Sequence, residues 1–400
     1  MNKIKYIYFF RGDLSSHVGI YKSWVDVASD NLDISIITII DTKTYTIQKK
    51  LVEYYRNKNI FIKVVPRYLK SIFTLLYFFY ITITNDKVVV HLRKQSPKPL
   101  NIIKKLLPNK IKYIIEIEGD FDSEIEYLSQ EKNKYKDGFY KNIVAGMKQA
   151  SHILEQQFFK ADGIFVVSNT LKELFISRYD KDDLTNKIYV IPTGFDNTKF
   201  FSNEKLRNTY RKKYNLEEKF VMIFTGNILY SWQNIKRSIE VFKSLKEGIY
   251  PNLYFLMLIR KEDHKIAQEF ISKLNLHDKD YLLLNVSHEE VNGFLNASDL
   301  GILLRENNML NKVASPGKLG EYLSAGLNVL TTHHIGNYSK KMQEDQVGIL
   351  IDDIYDDNEI INKVKKYNSL RTKEEISKWA SQNFSVQAYK QAYIDALQGV

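Results

Sequence analysis

The densest set of chemically capable side chains follows a short apolar run, Leu300–Leu304, and extends from Arg305 to Gly326. Within it, Ser315-Pro316-Gly317 has the composition of a helix start, with serine as cap and proline early in the first turn. Backbone N–H groups at such a start favour negative charge. Arg305 and Lys318 flank it, so the segment is suited to holding a diphosphate. Glu321 follows Lys318 by one helical turn, on the adjoining face, where a carboxylate can accept hydrogen bonds from ribose hydroxyls. The plainer alternative is a capped core helix in which Lys318 and Glu321 pair at i, i+3, worth only about 0.3 kcal/mol. Residue types alone leave both readings open.

A second cluster, Glu116-Ile117-Glu118-Gly119-Asp120-Phe121-Asp122-Ser123-Glu124, is acidic within an otherwise basic region. Asp120 or Glu118 can orient or deprotonate an attacking hydroxyl, and a solvated acidic loop is the alternative. No metal site is expected. The 8 histidines show no His-x-x-x-His pairing, His333 and His334 are adjacent and so diverge, and the absence of cysteine excludes disulfides and thiolate ligands.

Ligands of open α/β sheets bind at the carboxyl ends of strands, so the elements around these clusters decide their meaning. Short β-branched or aromatic runs alternate with longer amphipathic segments, which predicts parallel strands joined by crossover helices. Predicted strands in the first half are Tyr6–Phe10, Asp33–Ile40, Phe61–Val65, Lys87–His91, Ile111–Glu116, Gly163–Val167 and Ile188–Ile191. The rhythm restarts with Phe220–Thr225, Leu253–Ile259, Tyr281–Asn285, Leu300–Leu304, Asn328–Thr331 and Gly348–Ile351, with Ser238–Lys246 and Gly317–Ala325 as helices between them. A chain of 400 residues exceeds what one core usually organises. The punctuation of Pro192, Gly194 and the Asp196-Asn197 turn places a boundary there. The expected domains are 1–192, 193–378 and a C-terminal helical segment, 379–400, packing on a domain surface or bridging the two.

Charge is unevenly spread. Between Lys43 and Lys112 there are 16 basic residues against only Glu53 and Asp86, which suits an anionic neighbour such as a membrane surface or a phosphorylated acceptor, unless it is simply a solvated lysine-rich face. The longest strongly apolar run, Ile72 to Thr84, covers 13 residues, short of the roughly 20 needed to span a bilayer. Without a signal-peptide pattern at the start, a cytoplasmic location is expected.

Four segments in order carry a resemblance. Ile191-Pro192-Thr193-Gly194-Phe195-Asp196 with Phe200, Phe224-Thr225-Gly226-Asn227 through Trp232, Asn296-Ala297-Ser298-Asp299-Leu300-Gly301, and Ser315-Pro316-Gly317-Lys318-Leu319-Gly320-Glu321-Tyr322-Leu323-Ser324-Ala325-Gly326 together resemble family 4 (retaining) glycosyltransferases of the surface-polysaccharide type. The resemblance implies an α/β GT-B fold, two Rossmann-like doubly wound domains facing each other across a cleft. The N-terminal one would bind acceptor and the C-terminal one a nucleotide-sugar donor.

Residue by residue, the resemblance places Glu321 on the nucleotide ribose. It places Ser315, Pro316, Gly317 and Lys318 at the donor diphosphate, Gly226 and Asn227 in the loop opening the second domain, and Gly19 in the glycine-rich entry that lets backbone approach the donor phosphate. It aligns Glu118 and Asp120 with an acceptor-side loop. Two departures stand out: Val313 occupies the position of the family's first donor-site glutamate, and Asn227 and Gln233 stand where arginine and lysine are frequent. Arg305 and Lys318 are then the cations expected to stabilise charge on the leaving diphosphate, with Lys312 and Arg260 as lesser helpers.

Transfer of a sugar from a UDP- or GDP-sugar to a glycan or lipid-linked acceptor is the implied function, in capsule, O-antigen or exopolysaccharide synthesis. The resemblance implies retained anomeric configuration, and neither a cofactor nor a divalent metal is expected. An anionic inner-membrane surface is a candidate partner; nucleic acid is not. A sugar-nucleotide epimerase on the same fold, and a non-catalytic nucleotide-sugar-binding scaffold, are the alternatives.

Overall fold

A computed structural model of the protein describes residues 3–10, 18–93, 98–130, 137–179, 182–228, 231–367 and 371–400. The chain forms two compact units, residues 1–192 together with 389–400, and residues 193–388. Each is an α/β sandwich around one parallel sheet.

The first sheet has seven strands in the order β3-β2-β1-β4-β5-β6-β7. They are β1 Ile4–Phe10, β2 Ile34–Asp41, β3 Phe61–Val65, β4 Lys87–Arg93, β5 Ile111–Ile117, β6 Gly163–Val166 and β7 Ile188–Val190. The second has six, β10-β9-β8-β11-β12-β13: β8 Phe220–Thr225, β9 Leu253–Leu258, β10 Tyr281–Leu284, β11 Leu300–Leu303, β12 Asn328–Thr332 and β13 Ile349–Ile351. Each predicted strand is present, with ends shifted by one or two residues, the usual latitude at element termini. Both orders reverse beside the first strand of the sheet, which creates the topological switch point at which open sheets bind ligands.

Strand composition explains the layering. In β8, Val221 and Ile223 join one buried cluster while Met222 and Phe224 join the other, so side-chain alternation feeds a helical layer on each face. Such two-sided burial is why these strands read as continuous apolar runs.

The C-terminal segment is divided. The helix Lys373–Phe384 belongs to the second unit, and the helix Lys390–Gln398 returns to the first, packing on the helix Val18–Ser29. Its Tyr393 is buried against Trp24 at 5.0 Å between ring centroids and shares a 3.1 Å hydrogen bond with His91 Nδ1. The sequence predicts a C-terminal helical segment over 379–400, but residues 385–388 interrupt it. The Val386 N–H donates to Phe195 O at 3.0 Å, Ser385 bridges Phe195, and the Ser385 hydroxyl accepts from the Ala388 N–H. Hydrogen bonds there bridge Ser385 to Phe195 and turn the chain over residues 386–389.

Candidate functional site

In the second unit, the sheet aims its chemistry at the carboxyl ends of β8 and β11. Gly226 follows β8, and Arg305 stands two residues beyond β11. The helix Gly317–Ser324 is fixed against both strands by Tyr322, whose hydroxyl accepts from the Thr225 N–H at 2.7 Å and whose ring lies over Gly301. A β-carbon at Gly301 would come within 2.6 Å of that ring, so a glycine in β11 is what lets the helix approach. On its other side, Gly320 admits the Phe195 ring equally closely.

The helix start differs from the sequence expectation. Pro316, not Ser315, occupies the N-cap, and no side chain caps the helix. The Ser315 hydroxyl instead accepts from the Thr193 N–H at 3.1 Å and bonds the Tyr338 hydroxyl at 3.1 Å. Serine is one residue too early to reach the helix amides, so it anchors the segment entering the second unit and leaves the helix start without a side-chain cap.

Three groups converge there. The Lys318 ammonium donates to Gln233 Oε1 at 2.8 Å, and Arg305 Nη1 donates to the Trp232 carbonyl at 2.7 Å. A β-carbon at Gly226 would lie 2.3 Å from Gln233 Oε1 and 2.8 Å from Lys318 Nζ, so only glycine leaves room for this arrangement. Burial, and then the nearby Arg305 charge, bring the Lys318 pKa down to about 7, with Glu321 opposing weakly. Burial likewise raises the Glu321 carboxyl, against the pull of His288 and Lys318. No Lys318–Glu321 ion pair forms among the described residues, and Lys318 turns to Gln233 instead. Arg305 thus raises the cost of charging Lys318 beside an uncapped helix start, and an anion there would lower that cost.

The remaining predicted residues are placed as follows. Asn227 Oδ1 accepts from Arg260 Nη2 at 3.0 Å, and Arg260 in turn holds the buried Asp263 carboxylate with two 3.0 Å bonds. Its charge is thus matched locally by Asp263. Lys312 ends the short helix Met309–Lys312, and Val313 next to it is fully buried. Gly19 lies in the first turn of the helix Val18–Ser29, while the rest of its loop, residues 11–17, falls outside the described residues.

In the first unit, the acidic cluster follows β5. Glu118 accepts from the Tyr21 hydroxyl at 2.5 Å and from Arg93 Nη2 at 2.6 Å. Asp120 is buried and held by Arg178 through bonds of 2.7 and 2.9 Å, and by the Ser123 N–H and hydroxyl at 3.1 and 2.6 Å. Burial alone would raise its carboxyl, but Arg178 and Ser123 outweigh that and hold it below the usual carboxylate range. Asp120 therefore caps the helix Phe121–Gln130 and anchors Arg178, a geometry that argues against its expected part as proton acceptor. Asp122 also reaches Arg178, at 3.1 Å. A small cavity of about 80 Å³ lies beside Glu116, Glu118 and Glu124.

A larger cavity of about 250 Å³, lined by Phe220, Leu300, Asn328, Ile349 and Lys373 among others, opens at the amino ends of the second sheet's strands. That is the end opposite Gly226 and Arg305, so its size does not make it the ligand site.

Sequence reasoning passed over Tyr21, Arg93, Arg178 and His288 as participants. Arg93 ends β4 and was reachable from the rule that strand ends bear ligands. His288, at the start of the helix His288–Ala297, acts electrostatically on Glu321, and no local spacing signals it.

Residues 207–383 match the family model of Glycosyl transferases group 1. An uncharacterised glycosyltransferase of Methanocaldococcus jannaschii is 28% identical over 203 residues, 50% of this chain and 45% of that relative. The chain thus aligns with less than half the length of this curated relative. Among solved structures, a glycosyltransferase from Rickettsia africae is similar with a TM-score of 0.66 at 16% identity, and Anabaena HepE, crystallised with UDP and glucose, with 0.63 at 14%, each covering 100% of both chains. The architecture, with its seven- and six-stranded parallel sheets, is GT-B.

Proposed function

We propose that the protein is a glycosyltransferase that moves a sugar from a UDP- or GDP-linked donor to a glycan or lipid-linked acceptor in surface-polysaccharide synthesis. The observation that carries this reading is the pairing of Arg305 with a Lys318 whose pKa is lowered to about 7, at an uncapped helix start on the carboxyl side of a Rossmann-like sheet. The group 1 domain match and the UDP complex of Anabaena HepE support the nucleotide-sugar assignment.

In this reading the donor diphosphate lies at the start of the helix Gly317–Ser324, and Gly226 allows the backbone to approach it. Glu321 accepts hydrogen bonds from the ribose. As the anomeric bond breaks, negative charge grows on the departing diphosphate, and Arg305, Lys318 and the helix amides stabilise it where it develops. Binding energy from the nucleotide positions the sugar for attack. The protein's own cations supply what a metal would otherwise contribute, so the reading includes metal-independent transfer with retention of configuration.

The test is calorimetric titration of UDP and GDP, with turnover assayed on labelled donor in the presence and absence of acceptor and chelator. Tight binding of one nucleotide, lost in Lys318→Ala, and transfer that persists with chelator are the expected results. Donor consumption yielding only free or isomerised sugar would favour the epimerase, and donor binding with no consumption the scaffold.

A further inference from the structure

The apolar run Ile72–Thr84 lies in the helix Lys70–Thr84, and this helix is turned the wrong way for a soluble surface. It buries Thr74, Phe78 and Thr82, at 4%, 0% and 0% exposure, and faces solvent with Ile72, Leu76, Phe79, Tyr80 and Ile83. The inward threonine hydroxyls are satisfied within the helix, donating to the Lys70 and Phe78 carbonyls at 2.7 Å each. At 3.6 residues per turn, the five outward side chains fall within an arc of about 100°, one continuous stripe. Leu76 and Tyr80 at its centre are 61% and 64% exposed.

The stripe has apolar neighbours. Tyr68 and Leu69 precede it, and Ile102 and Leu106 are exposed on the helix Lys98–Leu106, which packs against it. Of the sixteen large hydrophobic residues exposed among the described residues, twelve lie between Ile47 and Leu106. A patch of this concentration marks an interaction surface. Its surroundings identify the partner's charge. Arg67, Lys63, Lys98 and Lys105 are exposed around it, and Lys63 sits over the Phe73 ring at 5.4 Å, while the same stretch of sequence holds only two carboxylates.

We propose that this face docks on an anionic lipid bilayer, with the stripe of the helix Lys70–Thr84 entering the headgroup boundary and the surrounding cations meeting acidic headgroups. The helix lies in the interface. No helix among the described residues is long and apolar enough to cross a membrane, and a stripe with one buried polar face is the geometry of in-plane binding. A second copy of the chain is the competing occupant, but two such faces would bring their cations together, which like-charge repulsion opposes. The inference does not rest on sugar transfer, and the measurement below needs no activity.

The full chain is sedimented with vesicles of phosphatidylcholine alone and of phosphatidylcholine mixed with phosphatidylglycerol. It should pellet with the mixed vesicles and release as salt rises. Leu76→Asp/Tyr80→Asp should weaken binding about tenfold or more, and Arg67→Glu/Lys105→Glu should remove the preference for the anionic lipid. The uncharged Leu76→Gln/Phe79→Gln/Ile83→Gln serves should the aspartate variant fail to fold. Equal pelleting of wild type and Leu76 variants, or no pelleting with either vesicle, overturns the proposal. So does concentration-dependent self-association that the same substitutions abolish, which would assign the face to a second copy.

Discussion

The two units place charged groups at equivalent ends of equivalent sheets and treat them in opposite ways. After β5 in the first unit, each carboxylate is met within the fold, Glu118 by Arg93 and Tyr21, Asp120 by Arg178 and Ser123. After β8 and β11 in the second, Arg305 donates to the Trp232 carbonyl and Lys318 to the Gln233 amide, and the two cations sit close enough for one to depress the other's pKa. A charge matched by its own fold serves the fold. A lysine buried beside another cation is ready for an anionic ligand, because the cost of desolvating it has already been met when the ligand arrives.

The sharpest way to break this contrast is to substitute one member of each pair. Lys318→Ala should lower turnover about 10²–10³-fold while leaving the melting temperature unchanged or raised, since it removes a desolvated cation. Arg178→Ala should do the reverse, leaving the buried Asp120 without its main partner at a cost of about 3 kcal/mol in urea unfolding, with turnover retained at low temperature. If Arg178→Ala proves inactive yet fully stable, the first unit's carboxylates are catalytic after all and the contrast fails.

Acidity sharpens it next. In the free protein Lys318 releases its proton near pH 7, well below an unfolded lysine. An anion raises that pKa again, so UDP binding should take up a proton above about pH 7, and affinity should fall by up to about tenfold per pH unit beyond it. Calorimetry in buffers of different ionisation enthalpy reads the proton count. The stability linkage has its own sign. A cation with a depressed folded pKa costs stability where both states are protonated, and the cost is relieved as pH climbs from about 7 towards the unfolded value.

Smaller effects test the geometry around the cations. Gly226→Ala should push Gln233 and Lys318 apart and weaken UDP binding about tenfold, read by titration, without unfolding the unit. Tyr322→Phe removes the hydrogen bond to the Thr225 amide and should cost about 1 kcal/mol of stability, visible as a small shift in the urea midpoint.

The alternation of β-branched runs with amphipathic segments was enough to locate both sheets, because a strand buried on two faces must be apolar along its whole length and a crossover helix cannot be. The change of unit after Pro192 coincides with the boundary punctuation, and Arg305, Lys318 and Glu321 could be singled out as candidates from residue type and spacing. What the sequence could not assign were partners. Ser315 looks like a cap until the helix is seen to begin at Gly317. Asp120 looks like a base until Arg178, distant along the chain, closes on it, and the division of the final segment between two units depends on where Phe195 and Trp24 wait to receive it. Backbone periodicity is written residue by residue and survives without the rest of the chain. Whether a charge is matched or left wanting depends on side chains brought together from far apart, and that only the folded structure decides.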